Sequence, residues 1–233
     1  MGRYKARHFL AVLFLLGLPA LTCGVGPVVL DLIERVEFIE QELDLAPTTI
    51  LLDDDFEDGI DPAWVQVYGT TQTIAPTSCE DFNSNYTNCG SLGLHFDESE
   101  RYDYEVSAPT TGSFSLYFHD DPADTLAAAW IGVLSPGGQE RLGVETGACP
   151  NHYYISLNAG THRCTLIPRR KGWHRVEFVR SGLTTKGYLD HVLMFETNRS
   201  DRYGFTLITV IQEVPWALLD GFAIDDVRFE AYD

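Results

Sequence analysis

Arg101-Tyr102-Asp103-Tyr104-Glu105-Val106-Ser107 decides the fold of this chain. Tyr102, Tyr104 and Val106 alternate with Arg101, Asp103, Glu105 and Ser107, so one face meets a core and the other meets water. The same period of two recurs at Phe114, Leu116 and Phe118 against Ser113, Ser115 and Tyr117, and at Val176 and Phe178 against Arg175 and Glu177. Thr110-Thr111-Gly112, Ser135-Pro136-Gly137-Gly138 and Arg180-Ser181-Gly182 supply turns between such runs. From Thr49 onward about a dozen short strands follow one another with no helix between them, which predicts an all-β, antiparallel sandwich of the jelly-roll kind.

Upstream the pattern changes. Arg3, Lys5 and Arg7 precede an apolar run from Phe9 to Leu18, then Pro19 and small residues up to Cys23. A basic start, a short apolar core and a small-residue exit make residues 1–23 a secretory signal. The run falls short of the ~20 residues that span a bilayer. Cys23 follows Ala20, Leu21 and Thr22, an imperfect lipobox, and two outcomes stay open. Either Cys23 is lipidated on a cell-surface or periplasmic lipoprotein, or cleavage near Ala20 or Thr22 releases a secreted protein. Residues 24–48 then form a short helical stalk or linker: Val29, Leu32, Val36, Ile39 and Leu43 recur at spacings of three and four, with Pro27 near the start and Pro47 at the stop. Such a stripe either joins protomers or packs on the chain's own domain. Residues 49–233 form the sandwich domain.

The chain carries 16 Lys and Arg against 34 Asp and Glu, a formal charge of −18, and losing the three basic residues of the signal makes it more negative. A surface of that sign repels nucleic acid and anionic headgroups. Membrane association is therefore expected only through the signal or a lipid at Cys23. Beyond Cys23 four cysteines remain, Cys79, Cys89, Cys149 and Cys164, and an even number in an exported chain points to disulfides. Local loops favour Cys79–Cys89 and Cys149–Cys164. The second pair sits on a hairpin read from His152–Leu157, a turn at Asn158-Ala159-Gly160, and Thr161–Ile167.

Three further segments carry a family likeness. Leu52-Asp53-Asp54-Asp55-Phe56-Glu57-Asp58-Gly59 with Trp64 opens the domain, and Gly221-Phe222-Ala223-Ile224-Asp225-Asp226-Val227-Arg228-Phe229 closes it. Between them Gly172-Trp173-His174-Arg175-Val176-Glu177-Phe178 precedes Gly187-Tyr188-Leu189-Asp190-His191-Val192-Leu193. Together these resemble the concanavalin A-like lectin/glucanase superfamily, in its laminin-G-like and MAM-like members. Modules of galactose-binding-like fold have similar ends, but the Gly172–Val192 region favours the concanavalin A-like choice. The resemblance implies that first and last strands pair and that structural calcium sits at their junction. The family often has Gly where His191 stands, so a turn one residue longer is expected there.

Candidate chemistry follows. The core-facing phase slips by one residue at Asp225–Asp226, as a β-bulge requires. Glu57 or Asp58 approaching Asp225 or Asp226 would make a set of oxygen ligands for calcium; the same residues also read as solvated loop carboxylates. His119-Asp120-Asp121-Pro122-Ala123-Asp124 reads as a turn, with a second calcium loop as the alternative. Neither Gly-x-Ser-x-Gly nor His-Glu-x-x-His occurs. Arg101, Asp103 and Glu105 read as a charged exposed face rather than a hydrolase carboxylate pair. Tyr153, Tyr154, His162 and Trp216 are the expected ligand-binding side chains, since glycan recognition needs aromatic surface beside polar groups. The expectation is thus a non-catalytic extracytoplasmic domain binding glycan or an extracellular protein. A glycoside hydrolase or polysaccharide lyase of the same fold is the alternative, and a surface protein assembled through the helix is the second.

Overall fold

The structure, a computed structural model, describes residues 49–69, 73–76, 92–96, 99–123, 128–158, 161–198, 204–214 and 222–232. The expected signal, Cys23, the expected helical segment, Cys79, Cys89 and Trp216 lie outside them. Fifteen strands and no helix make up the described residues. They are β1 (Thr49–Asp54), β2 (Trp64–Tyr68), β3 (Thr73–Pro76), β4 (Leu92–Phe96), β5 (Glu100–Thr110), β6 (Gly112–Asp120), β7 (Ala128–Ser135) and β8 (Gly138–Glu145). Then follow β9 (His152–Leu157), β10 (Thr161–Pro168), β11 (Gly172–Ser181), β12 (Thr184–Leu189), β13 (Val192–Asn198), β14 (Phe205–Val214) and β15 (Phe222–Ala231). One sheet runs β13-β12-β11-β6-β15-β4-β3 with β1 also on β15, eight strands in all; the other has seven, β10-β9-β8-β7-β14-β5-β2. The described strand pairs are antiparallel. The all-β sandwich expected from alternation is the fold observed.

The core is the space between the sheets. Alternation in β5 sends Tyr102 inward, where it meets Phe96 edge-on at 5.4 Å, and Phe96 meets Phe222 at 5.1 Å. Phe114, Leu116 and Phe118 of β6 are wholly buried against Val176 and Phe178 of β11. Gly187 of β12 lies under Phe195 of β13 with no room to spare: a Cβ there would stand 2.2 Å from the ring. Polar side chains also cross between the sheets, with Gln212 Nε2 donating to the Phe96 carbonyl at 3.1 Å and Thr197 Oγ1 to Glu140 at 3.2 Å.

At one end of the sandwich an ion pair is sealed inside. Asp120 ends β6 on its inward face, and Arg169, just past β10, reaches it with Nη2 at 2.6 Å and Nε at 3.1 Å. Neither side chain is exposed. Nearby, His174 presents Nδ1 to Asp190 at 2.7 Å and Nε2 to the Arg170 carbonyl at 2.8 Å. The Arg170 backbone N–H donates to the Tyr153 hydroxyl at 3.2 Å. Asp121, by contrast, accepts from Ala123 N and pairs with Lys171 at 3.3 Å, which is turn chemistry.

Two local expectations resolve differently. The β12–β13 turn is not lengthened: Leu189 pairs with Val192, so Asp190 and His191 are the whole loop, at φ 48° and 67°. Both positive angles make it the hairpin turn whose twist matches its strands. The Asp190 carboxylate holds it without glycine, accepting the Arg175 N–H and facing His174. The slip at Asp225–Asp226 is present, as a register shift between Asp225 and Arg228 with Asp226 at φ 50°. β1 and β15 pair, as the resemblance implies.

Candidate functional site

The outer face of the seven-stranded sheet gathers the side chains best suited to a ligand. Because Tyr102 and Tyr104 turn inward, Arg101 and Asp103 turn outward, and register carries that choice across the sheet. One row takes a residue from every strand: Tyr68, Arg101, Ile211, Trp130, Gly143, Tyr154 and Cys164. Beside it run Val65, Asp103, Thr209, Gly132, Arg141, Ser156 and His162. Gly143 lets β7 and β8 meet here, since a Cβ would stand 2.2 Å from the Ala129 carbonyl oxygen and 2.8 Å from Trp130 Cα.

These rows are fixed by their own bonds. Arg101 grips Asp103 with Nε at 2.8 Å and Nη2 at 2.6 Å, and Thr209 Oγ1 donates to the same carboxylate at 2.6 Å. The Arg141 guanidinium lies 5.0 Å from the Trp130 ring centre, a cation–π distance, while its Nη2 donates to Gln139. Tyr154 stacks on His162 at 5.5 Å and 19°, and their polar atoms are hydrogen-bonded. Trp130, Tyr154, Ile211 and Cys149 form an apolar cluster of their own, apart from the main core. The Cys149–Cys164 disulfide anchors it on the β10 side, where the turn after β8 folds back through Cys149 N donating to the Glu145 carbonyl at 2.7 Å. Burial pushes the Glu145 carboxyl above the usual carboxylate range, Glu213 adds to the rise, and His162 opposes it. Trp130 and Tyr154 are each 5% exposed, whereas Tyr68 at the open edge is 40% exposed.

Of the expected ligand residues, Tyr154 and His162 stand on this face together. Tyr153, one residue away, must face the other way in a strand: it is wholly buried and its hydroxyl serves Arg170, so it belongs to the core. Trp130, Arg141 and Thr209 escape the sequence reading, which takes Arg101 and Asp103 only as part of a charged exposed face. Trp130 was hidden in Ala128-Ala129-Trp130-Ile131-Gly132-Val133-Leu134, an apolar run that looks buried on both sides.

The expected calcium residues are not gathered as a set. Glu57 is exposed and accepts the Leu92 N–H at 2.8 Å, and Asp58 is exposed on the loop after β1. Asp225 is buried and accepts the Asp226 N–H at 2.8 Å. The carboxylates that act on Asp226 are Asp53 and Asp55; burial first and Asp53 next push its carboxyl up, with Arg175 and Arg228 opposing. The opening acidic motif has a local task instead. Asp54 accepts from Phe56 N at 3.0 Å, Asp61 N at 3.0 Å and Trp64 Nε1 at 3.1 Å, and so folds the loop between β1 and β2. Among the described residues no three of His, Cys, Asp and Glu converge as a metal site.

No protein-family model matches the chain, and no curated protein matches it. Solved structures share its fold. An apo Crh5 transglycosylase superposes with a TM-score of 0.52 at 9% identity, over 81% of this chain and 90% of that one. Domain 4 of AbnA, a GH43 extracellular arabinanase from Geobacillus stearothermophilus, solved in complex with arabinotriose, superposes at 0.50 and 12% identity, over 80% and 94%. A sialidase superposes at 0.53 and 11% identity over 80% of this chain, which spans only 19% of the sialidase's length. At such identities the likeness is one of fold.

Proposed function

We propose that the chain is an extracytoplasmic, non-catalytic glycan-recognition domain that binds through the outer face of its seven-stranded sheet. The observation that carries this reading is Tyr68, exposed at the open edge of the seven-residue row beside the fixed Arg101–Asp103–Thr209 cluster, with the nearly covered Trp130 and Tyr154 backing the row further along. Aromatic area beside preorganised polar groups is what a sugar needs. The fold shared with an arabinanase domain solved with arabinotriose supports it. The disulfide and the signal-like residues 1–23 support a place outside the cytoplasm, secreted or lipid-anchored at Cys23. The Gly172–Val192 hairpin supports a laminin-G-like place in the concanavalin A-like superfamily.

The test is retention of the purified protein on a polysaccharide panel, with calcium and then with chelator, while released sugar is measured in the same samples. Retention without product is expected; no retention on any polysaccharide overturns the reading. Loss of retention in chelator would add calcium to it, through the carboxylates around the β1–β15 junction.

A second reading has one observation in its favour. Burial, with Glu213 adding to it, holds the Glu145 carboxyl above the usual carboxylate range, and a raised carboxyl is what the general-acid half of a glycosidase pair requires. Reproducible product release, abolished in Glu145→Gln, would replace the binding module with a hydrolase.

A further inference from the structure

The edge of the outer face formed by β2 differs from the rest of it. Val65 is 53% exposed, Val67 48% and Tyr68 40%, three apolar or aromatic side chains close together on one edge strand, while Trp130 and Tyr154 further along are almost covered. Scattered exposed apolar residues mean little, but a contiguous group beside polar groups marks a contact surface. Val67 is the extra residue of a register shift between Gln66 and Tyr68, which sets Tyr68 directly across from Arg101. Arg101 spends Nε and Nη2 on Asp103, and Asp103 is held in turn by Thr209. That leaves Arg101 Nη1 and the Tyr68 hydroxyl with no hydrogen-bond partner among the described residues.

From this arrangement we infer that Tyr68, Arg101 and Asp103 form the primary subsite of the face, and that it takes a neutral pyranose rather than an acidic sugar. This rests on the glycan-recognition reading above. The apolar face of the sugar lies on the Tyr68 ring with Val65 and Val67 beside it. Its hydroxyl and ring oxygens accept from Arg101 Nη1, and a hydroxyl donates to Asp103. Charge selects against acidic sugars: Asp103 cancels Arg101 at 2.6 Å, and the Tyr68 hydroxyl, its pKa raised by burial first, also feels Glu213, with Arg101 opposing. A uronate would meet an already neutralised guanidinium in a chain of charge −18. Both polar partners are fixed before the sugar arrives, so little ordering entropy opposes binding.

The experiment compares the whole protein with Tyr68→Ala and Tyr68→Phe on neutral pyranose oligosaccharides (gluco-, manno- and xylo-) and on oligogalacturonate and oligoalginate. Affinity is read by calorimetry and folding by melting temperature. Tyr68→Ala is expected to weaken binding at least tenfold, Tyr68→Phe to stay within about threefold, and both to melt as wild type, since the ring is exposed. Binding to a neutral sugar that Tyr68→Ala leaves unchanged, or binding confined to the acidic oligosaccharides, overturns this subsite while the glycan reading stands. No binding to either class removes both. Should Tyr68→Ala lower the melting temperature, Arg101→Lys gives the same decision: it keeps the charge beside Asp103 but lacks Nη1, and unchanged affinity refutes the assignment.

Discussion

Replacing Arg169 with Met should unsettle the domain far more than its place after β10 suggests. Arg169 and Asp120 are both wholly buried, 2.6 Å apart at their nearest atoms. Met keeps much of the aliphatic volume but leaves the Asp120 carboxylate sealed from water without its cation. Breaking such a pair from one side costs about 3–5 kcal/mol, most of it the penalty of the stranded charge. With a urea dependence of about 2 kcal/mol per molar, the unfolding midpoint should fall by about 1.5–2.5 M. Trp173 and Trp64 are buried reporters, so tryptophan fluorescence in a urea titration reads the transition. The diagnostic is the double variant Asp120→Leu with Arg169→Met. It removes both charges and should recover most of the loss, because a buried ion pair is worth little against an apolar replacement. A loss under 1 kcal/mol for Arg169→Met, or a double variant whose cost is the sum of the two singles, would refute this account.

Converting Cys149 and Cys164 together to Ala should lower stability by about 3 kcal/mol, the chain-entropy value for a loop of 15 residues, and redden Trp130 emission; an unchanged urea midpoint would contradict it. Gly187→Ala drives a methyl into the Phe195 ring and should cost about 1–3 kcal/mol, relieved when Phe195 is also made Leu; calorimetric melting of the pair checks this. Asp226→Asn tests the sign of a charge effect. Burial and Asp53 hold the Asp226 carboxyl above its unfolded value, so its ionised form weighs against the fold. That penalty is absent below the unfolded value and grows as pH rises through the folded one. In chelator the Asn variant should therefore be the more stable at pH 7, with an advantage that vanishes in acid, and Asn accepts the left-handed backbone at this position. An advantage independent of pH would exclude the electrostatic cause.

Most of the fold was legible because period two is a geometric demand: Tyr102 and Tyr104 cannot share a face with Arg101 and Asp103. The bulge at Asp225–Asp226 was legible for the same reason, as a change of parity among apolar residues. The site was half legible. Tyr154 and His162 were visible as aromatic and polar neighbours on a disulfide hairpin, but adjacency in sequence misled at Tyr153, which the strand turns inward. Trp130 and Arg141 belong to different strands and meet only through the β7–β8 register, which composition does not encode. At the β12–β13 turn, knowledge of what glycine does best pointed to a longer loop. The Asp190 side chain, bonded to Arg175 and His174, supplied the same backbone shape at another position's expense.

The pairing of β1 with β15 has a mechanical consequence. Thr49 at the start of the first strand lies opposite Ala231 at the end of the last. Both chain ends of the domain therefore leave from one pole. Tension applied across those two ends would open the β1–β15 ladder bond by bond, like a zip, instead of loading all its hydrogen bonds at once in shear. A domain held by one end never meets that load, whereas one strung between two anchors would yield at this seam first, with the seven-stranded sheet and its outer face still whole.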